Sequence, residues 1–304
     1  MAEAISSLMP AWLWMALLCA FVTGTSDALV KHLLVRSDER VVGWAKLLFS
    51  LPWLFLFPMV AGWPKVSPLF WEVVAIMVPL EIISYLFSLR SLRLAPLSLT
   101  MPFQAITPLL TIVTGFLIMG ERVSLQGFMG ILGVTVGIYV MQIELAAEGW
   151  FQPIKAMFTN RGIRLMLAAA AIYSITSTLS KRAVQLSSPL AFPFLYLGVD
   201  TLFLTPMAHQ SARRSKGGLG LLPEVRTQLP LYLLSGLLTA GSFLTHCIAI
   251  QSAPVAYFIS IKRLSLLVSV LYGGLVFREA SFRQRVLGTV LMLLGALLIT
   301  LTSS

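Results

Sequence analysis

The sequence predicts an all-α, polytopic membrane protein: ten transmembrane helices in two inverted five-helix repeats. Composition is the first reason. Of 304 residues, 58% are hydrophobic and 11% charged, against roughly 25% charged in a soluble domain. A mean hydropathy of +0.88 leaves too little polar surface to coat a water-soluble body of this size, which excludes a cytosolic enzyme. The second reason is spacing. Apolar stretches long enough to cross hydrocarbon recur along the whole chain, with short gaps that leave no room for a soluble domain. A β-barrel would need alternating strands of about ten residues, and the sequence has no such pattern. The third reason is an internal repeat, described below.

The predicted spans cover about 11–35, 41–62, 68–90, 96–119, 124–143, 162–185, 189–208, 228–250, 255–277 and 282–302. Each is expected to be helical because lipid offers backbone polar groups no outside partner. Span one holds Asp27 and Lys31, four residues apart and so on one helix face. No basic region or small-residue cleavage site precedes it, so it reads as a retained span rather than a signal peptide. Span two carries Lys46, and span three carries Glu81, Tyr85 and Ser88. Span four contains Pro102 and Pro108, which interrupt helical hydrogen bonding, with Gln104 between them. Gly127, Gly130, Gly133 and Gly137 on span five, with Gly288 and Gly295 on span ten, are spaced for close packing. They predict either a contact between the halves or the seam of a homodimer. Span seven holds Asp200, span eight His246, and span nine the adjacent pair Lys262 and Arg263. Cys19 and Cys247 lie inside spans without partners for redox or metal chemistry, so they read as packing residues, and neither a metal nor a cofactor is expected.

The longest connections are 144–161 and 209–227, and the first divides the chain into repeats at 11–143 and 162–302. An offset of 158 takes Ala95-Pro96 to Ala253-Pro254, Gly115 to Gly273, Glu121 to Glu279, Gly130 to Gly288 and Gly137 to Gly295. Nearer the N-terminus an offset of 151 takes Thr25-Ser26 to Thr176-Ser177 and Lys31 to Arg182. Because each half has an odd number of spans, the second copy runs through the membrane inverted. That architecture places a site near the midplane, between the copies.

Ionisable residues inside hydrocarbon carry the most information, since each costs about 2.5–3.5 kcal/mol at a helix centre unless paired or hydrated. Asp27 and Lys31 read as an ion pair or as a gating and proton-coupling pair. Lys46, Glu81 and Asp200 stand alone in apolar sequence and need partners from other helices or from cavity water. As neighbours on one helix, Lys262 and Arg263 would point about 100° apart. These seven residues sum to four positive and three negative charges. One positive charge is left for an anionic group on a small-molecule substrate. The offset of 158 sets Gln104 opposite Lys262, and it sets Tyr85 and Ser88 opposite Phe243 and His246. Polar side chains from both halves are thereby expected to line a central site.

The segment SLRSLRLAPLSLTMPFQAITPLLTIVTGFLIMGERVSLQGFMGILGVTVGIYV, with its Gly120-Glu121-Arg122 turn, resembles the third-to-fifth-span signature of the drug/metabolite transporter superfamily, EamA branch. A second copy reads AIQSAPVAYFISIKRLSLLVSVLYGGLVFREASFRQRVLGTVLMLLGALLI. The resemblance extends over essentially the whole chain. It implies a ten-span carrier of small metabolites working by alternating access around a central cavity. Lys262-Arg263 also resembles the Lys-Arg pair with which plastid sugar-phosphate translocators hold phosphate, while Gln104 stands where those translocators have a third cation.

These observations predict a secondary transporter for a small polar metabolite with a phosphate or carboxylate group. Lys262 and Arg263 attract the anion; Gln104, Tyr85, Lys46, Ser88 and His246 complete the substrate site; Asp27, Lys31, Glu81 and Asp200 serve coupling or gating. Amino-acid or aromatic-metabolite export is the alternative. A non-transporting helper in lipid export is an alternative of another class. An intramembrane enzyme is not expected, because His32, His209 and His246 form no HExxH, paired-carboxylate or catalytic-serine motif. The net charge of +10 resides mostly in short loops and signals topology rather than nucleic acid. Loop counting puts fourteen basic residues on one face and four (Lys65, Arg122, Lys181 and Arg182) on the face bearing both termini, predicting termini outside. The family resemblance implies termini in the cytoplasm. A bacterial inner membrane is the expected location.

Overall fold

A computed structural model describes residues 11–34, 37–94, 103–104, 106–141, 160–214, 221–268 and 282–302. Among the described residues the chain is helical with no strand. The helices are α1 (Ala11–Leu33), α2 (Glu39–Ala61), α3 (Pro68–Leu94), α4 (Thr107–Met119), α5 (Leu125–Met141), α6 (Arg161–Gln185), α7 (Phe192–Arg214), α8 (Leu229–Ser252), α9 (Val255–Lys262) and α10 (Phe282–Thr302). A short helix, Leu221–Arg226, precedes α8. Five of them (α1, α2, α3, α6 and α8) contain apolar stretches long enough to cross a membrane, and α4, α5 and α10 contain shorter ones. Their outward faces carry large apolar side chains such as Phe21, Leu56, Val113, Leu117, Leu202 and Leu298, as a lipid-facing surface requires.

Local chemistry sets several boundaries. Asp38 caps α2 by accepting from the Arg40 backbone N–H at 3.0 Å, and Asn160 caps α6 by accepting from Gly162 at 2.8 Å. α4 ends at Gly120, whose φ of 69° is left-handed. There the N–H of Gly120 bonds Phe116 O at 3.0 Å, and that of Glu121 bonds Gly115 O at 3.1 Å. Glycine takes this conformation without the strain a Cβ would bring.

The packing obeys the inverted repeat. α3 lies along α6, and its counterpart α8 lies along α1; α2 meets α7, α4 meets α9, and α5 meets α10. Of the glycines predicted for close packing, Gly130, Gly133, Gly137, Gly288 and Gly295 join α5 to α10 within one chain, so the halves meet here, while Gly127 lies against the Tyr257 ring of α9. A Cβ on Gly295 would stand 2.5 Å from both Gly130 O and Val134 N, and one on Gly137 would stand 2.7 Å from Gly288 O. Hydroxyls tie other helix pairs: Thr23 with Ser242 at 2.7 Å between α1 and α8, Thr114 with Thr178 at 2.9 Å between α4 and α6. Trp44 Nε1 donates to Thr205 at 2.9 Å between α2 and α7. Both cysteines are buried thiols, as expected of packing residues, and Cys19 Sγ donates to Ser242 O at 3.4 Å.

One tie departs from expectation. Lys181, counted above as a loop charge, is 7% exposed and pairs with Glu121 Oε1 at 2.5 Å. Its ammonium also donates to Ala253 O at 2.5 Å, and Glu121 Oε2 accepts the Val255 N–H at 2.7 Å. The turn after α4, the end of α6 and the start of α9 are thereby clasped together. Glu121 also answers the positive end of α9, where backbone N–H groups lack helical partners.

Candidate functional site

The clasp fixes where α9 begins, and α9 is short. The sequence reading treats span nine as one helix through Lys262 and Arg263; the structure corrects this. The helix closes at Lys262, Arg263 is its C-cap, and the next bonds tighten to three-residue spacing: Leu264 N to Ile261 O at 2.9 Å and Leu266 N to Arg263 O at 3.1 Å. Neither Pro nor Gly marks the break, which is why the sequence hides it. Its counterpart on span four is marked by proline. There Ile106 N bonds Phe103 O at 3.4 Å before α4 starts at Thr107, and adding 158 to that pair gives Leu264 and Ile261. Among the described residues a three-residue backbone bond thus falls at the equivalent position in both copies, next to Gln104 in one and Lys262 in the other.

This break also answers why two cations stand side by side. They sit at the carbonyl end of α9, where the negative pole of the helix favours positive charge. Arg263 reaches across to the other break, where Nη2 donates to Thr107 Oγ1 at 3.3 Å. Thr107 in turn donates to Gln104 O at 2.7 Å. Lys262 Nζ donates to His246 Nδ1 at 3.1 Å. That contact makes Nδ1 the acceptor and leaves the proton on Nε2, which faces Ser180 Oγ at 3.5 Å. His246 is 9% exposed and edge-on to Phe258 at 4.7 Å. It stands behind Lys262 and orients it.

Opposite these cations are groups from the first repeat. Asp27 on α1 feels the charges of Lys46 on α2 and of Lys262 and Arg263. It is exposed, on the helix face that also carries the buried Ala16 and Ala20. Glu81 on α3 stands beside Thr176 of α6 and lies in the field of Lys262 and Lys46. Among the described residues these charges attract at a distance, whereas Lys181–Glu121 is a direct ion pair. The Tyr85 hydroxyl abuts α2 at Gly43, 3.0 Å from where a Cβ would stand, one turn from Lys46. Ser88 Oγ is buried beside the Tyr173 hydroxyl without reaching good bond geometry. Asp200 is set apart on α7 next to Tyr196. The Lys31 side chain lies outside the described residues.

The structure therefore brings Asp27, Lys46, Glu81, Lys262, Arg263 and, through Thr107, Gln104 to one central region contributed by both repeats. Sequence reasoning passed over Thr107, Tyr173 and Thr176. Hydroxyls in an apolar run look like packing residues, and only tertiary contact distinguishes them.

Comparison with known proteins agrees with this architecture. The family model described as EamA-like transporter family matches residues 10–143 and 160–301. A curated protein called "uncharacterized transporter", from Methanothermobacter thermautotrophicus, is 26% identical over 202 residues, covering 63% of this chain and 53% of that protein. The match thus spans about half the length of this relative. A solved crystal structure superposes with a TM-score of 0.72 at 16% identity, covering 98% of this chain and 97% of that one. It shares the fold.

Proposed function

The chain belongs to the EamA-like transporter family, and from that premise we propose a secondary carrier that moves a small polar metabolite with an anionic group, phosphate or carboxylate, by alternating access. One observation carries the reading: Lys262 and Arg263 end a broken helix that meets the symmetry-equivalent break of span four through Thr107. Paired interrupted helices near the midplane are how inverted-repeat carriers expose backbone dipoles and charges to a substrate.

Lys262, held by His246, and Arg263, held by Thr107, receive the anion. Lys46 adds a third cation from the first repeat, and Gln104 and Tyr85 orient the uncharged part of the molecule. Before substrate binds, Asp27 balances these cations. A substrate anion takes over that role and frees Asp27 to respond. The carrier works in the cell inner membrane. A second reading, export of amino acids, draws support from the carboxylates Asp27 and Glu81 facing the same cations, since a zwitterion would use both signs.

The test is thermal stabilisation of the purified protein by a panel of phosphorylated, carboxylated, zwitterionic and aromatic compounds. A ligand at a hundredfold excess over Kd stabilises by about 2.7 kcal/mol. Stabilisation by anionic compounds that disappears in Lys262→Ala and Arg263→Ala supports the anion site. Stabilisation by neutral or cationic compounds alone overturns it.

A further inference from the structure

Asp200 is the charged residue that the central region leaves aside. It is 6% exposed, and among the described residues its Oδ1 has no hydrogen-bond partner. Tyr196 stands one turn earlier on α7, next to the carboxylate. Among the described residues the charge that acts on Asp200 is Glu81 of α3, another carboxylate. Glu81 faces Thr176 of α6, Lys46 of α2 and Lys262 of α9, and Tyr173 of α6 also stands near it. α3 and α7 are also the looser counterpart of the closely packed pair α2 and α8. In that second pair a Cβ on Gly236 would stand 2.5 Å from the Phe49 backbone.

We propose that Glu81 and Asp200 together hold one proton at the boundary of α3 and α7, and that this site is linked to the anion site through Glu81. Two carboxylates that repel each other across the α3–α7 boundary, one of them with a buried oxygen that has no partner among the described residues, are unstable as two anions, because burial denies the second charge its solvation. A single proton removes one negative charge and needs only the free Oδ1. A metal cation would need several oxygen ligands, and among the described residues no three His, Cys, Asp or Glu side chains stand together to supply them.

The linkage follows from the position of Glu81. With the proton in place, Glu81 draws less on Lys46 and Lys262, and they turn to the substrate's anion. When the proton leaves, the restored carboxylate competes for the same cations. Proton and anion therefore raise each other's affinity, by reciprocity. This consequence rests on the carrier reading above; the proton site itself does not.

The experiment is infrared difference spectroscopy on the full-length protein in detergent, stepped from acidic to alkaline buffer, with protons as the only probe. The expected result is a protonated-carboxyl band at neutral pH that vanishes in Asp200→Asn, titrates at lower pH in Glu81→Gln, and survives in Asp27→Asn. Asp200→Glu, which keeps the acid, retains the band and guards against a folding artefact. A band unchanged in Asp200→Asn overturns the proposal. So does stabilisation of the parent protein by sodium chloride over choline chloride that is lost in Asp200→Asn, which would assign the site to a metal cation. No substrate enters the measurement, so failure of the anion site leaves it interpretable.

Discussion

Consider removing Glu121. Its two carboxylate oxygens serve two elements: Oε1 pairs with Lys181 at 2.5 Å and Oε2 accepts the Val255 N–H at 2.7 Å. The side chains of Lys181 and Glu121 are 8% and 14% exposed, so water replaces little of what is lost. Glu121→Ala leaves the Lys181 ammonium held by Ala253 O alone and the first N–H of α9 without an acceptor. Truncating one partner of a buried pair costs about 3–5 kcal/mol, and the residual exposure of Glu121 places the expectation at the lower end, about 3 kcal/mol. Glu121→Gln, which keeps an acceptor for Val255 but loses the charge, should cost about 1–3 kcal/mol.

Equilibrium unfolding in mixed micelles, run on both single variants, Lys181→Met and the double variant Glu121→Ala/Lys181→Met, measures this. The double variant removes both charges, so it should be more stable than the sum of the single losses predicts, by about 0.5–3 kcal/mol. Losses below about 1 kcal/mol, the range of exposed ion pairs, or strict additivity, would refute the claim that the clasp is a buried pair holding three segments together.

Other outcomes follow from the same geometry. Gly295→Ala should destabilise by about 1–3 kcal/mol, because its Cβ meets backbone atoms of α5 at 2.5 Å. Gly198→Ala, with nothing within 4 Å, should be neutral or gain up to about 1 kcal/mol from helix propensity. The same unfolding assay compares the two. Loss of a charge-assisted hydrogen bond is worth about 1.5–3 kcal/mol, so Lys262→Ala or Arg263→Ala should weaken a bound anionic compound by roughly ten- to a hundredfold, read by calorimetry. His246→Ala removes the acceptor that orients Lys262 and should raise Kd for that compound. His246→Gln, which restores an acceptor, should recover part of the affinity. Recovery absent in Gln but complete in Phe would make His246 a packing residue.

Composition and spacing alone were enough for a membrane-spanning helical bundle, because lipid leaves an unpaired backbone no alternative. The repeated Pro, Gly and Glu positions were enough for the duplicated architecture and the family. They mark turns and close approaches whose backbone requirements survive divergence of the surrounding apolar residues. The glycines foretold a tight seam but not its owner. Whether Gly130 and Gly295 face each other or a second copy depends on how α5 and α10 are brought together, which no local pattern encodes.

The site shows the same division. Charged residues in apolar sequence announce themselves because burial penalises them, so Asp27, Lys46, Glu81, Asp200, Lys262 and Arg263 could be named from the sequence. Their grouping could not. Lys181 reads as a loop charge until Glu121 is seen 2.5 Å away, 60 residues earlier in the chain. The break after Lys262 carries no proline or glycine, because it follows from packing against α4 and from the cap at Arg263. His246 turns from a candidate ligand into the support of one only once its Nδ1 is seen 3.1 Å from Lys262. Single-residue chemistry, which depends on what a side chain is, was legible in the sequence. Pairing, which depends on distances between helices far apart in the chain, was decided by the tertiary structure.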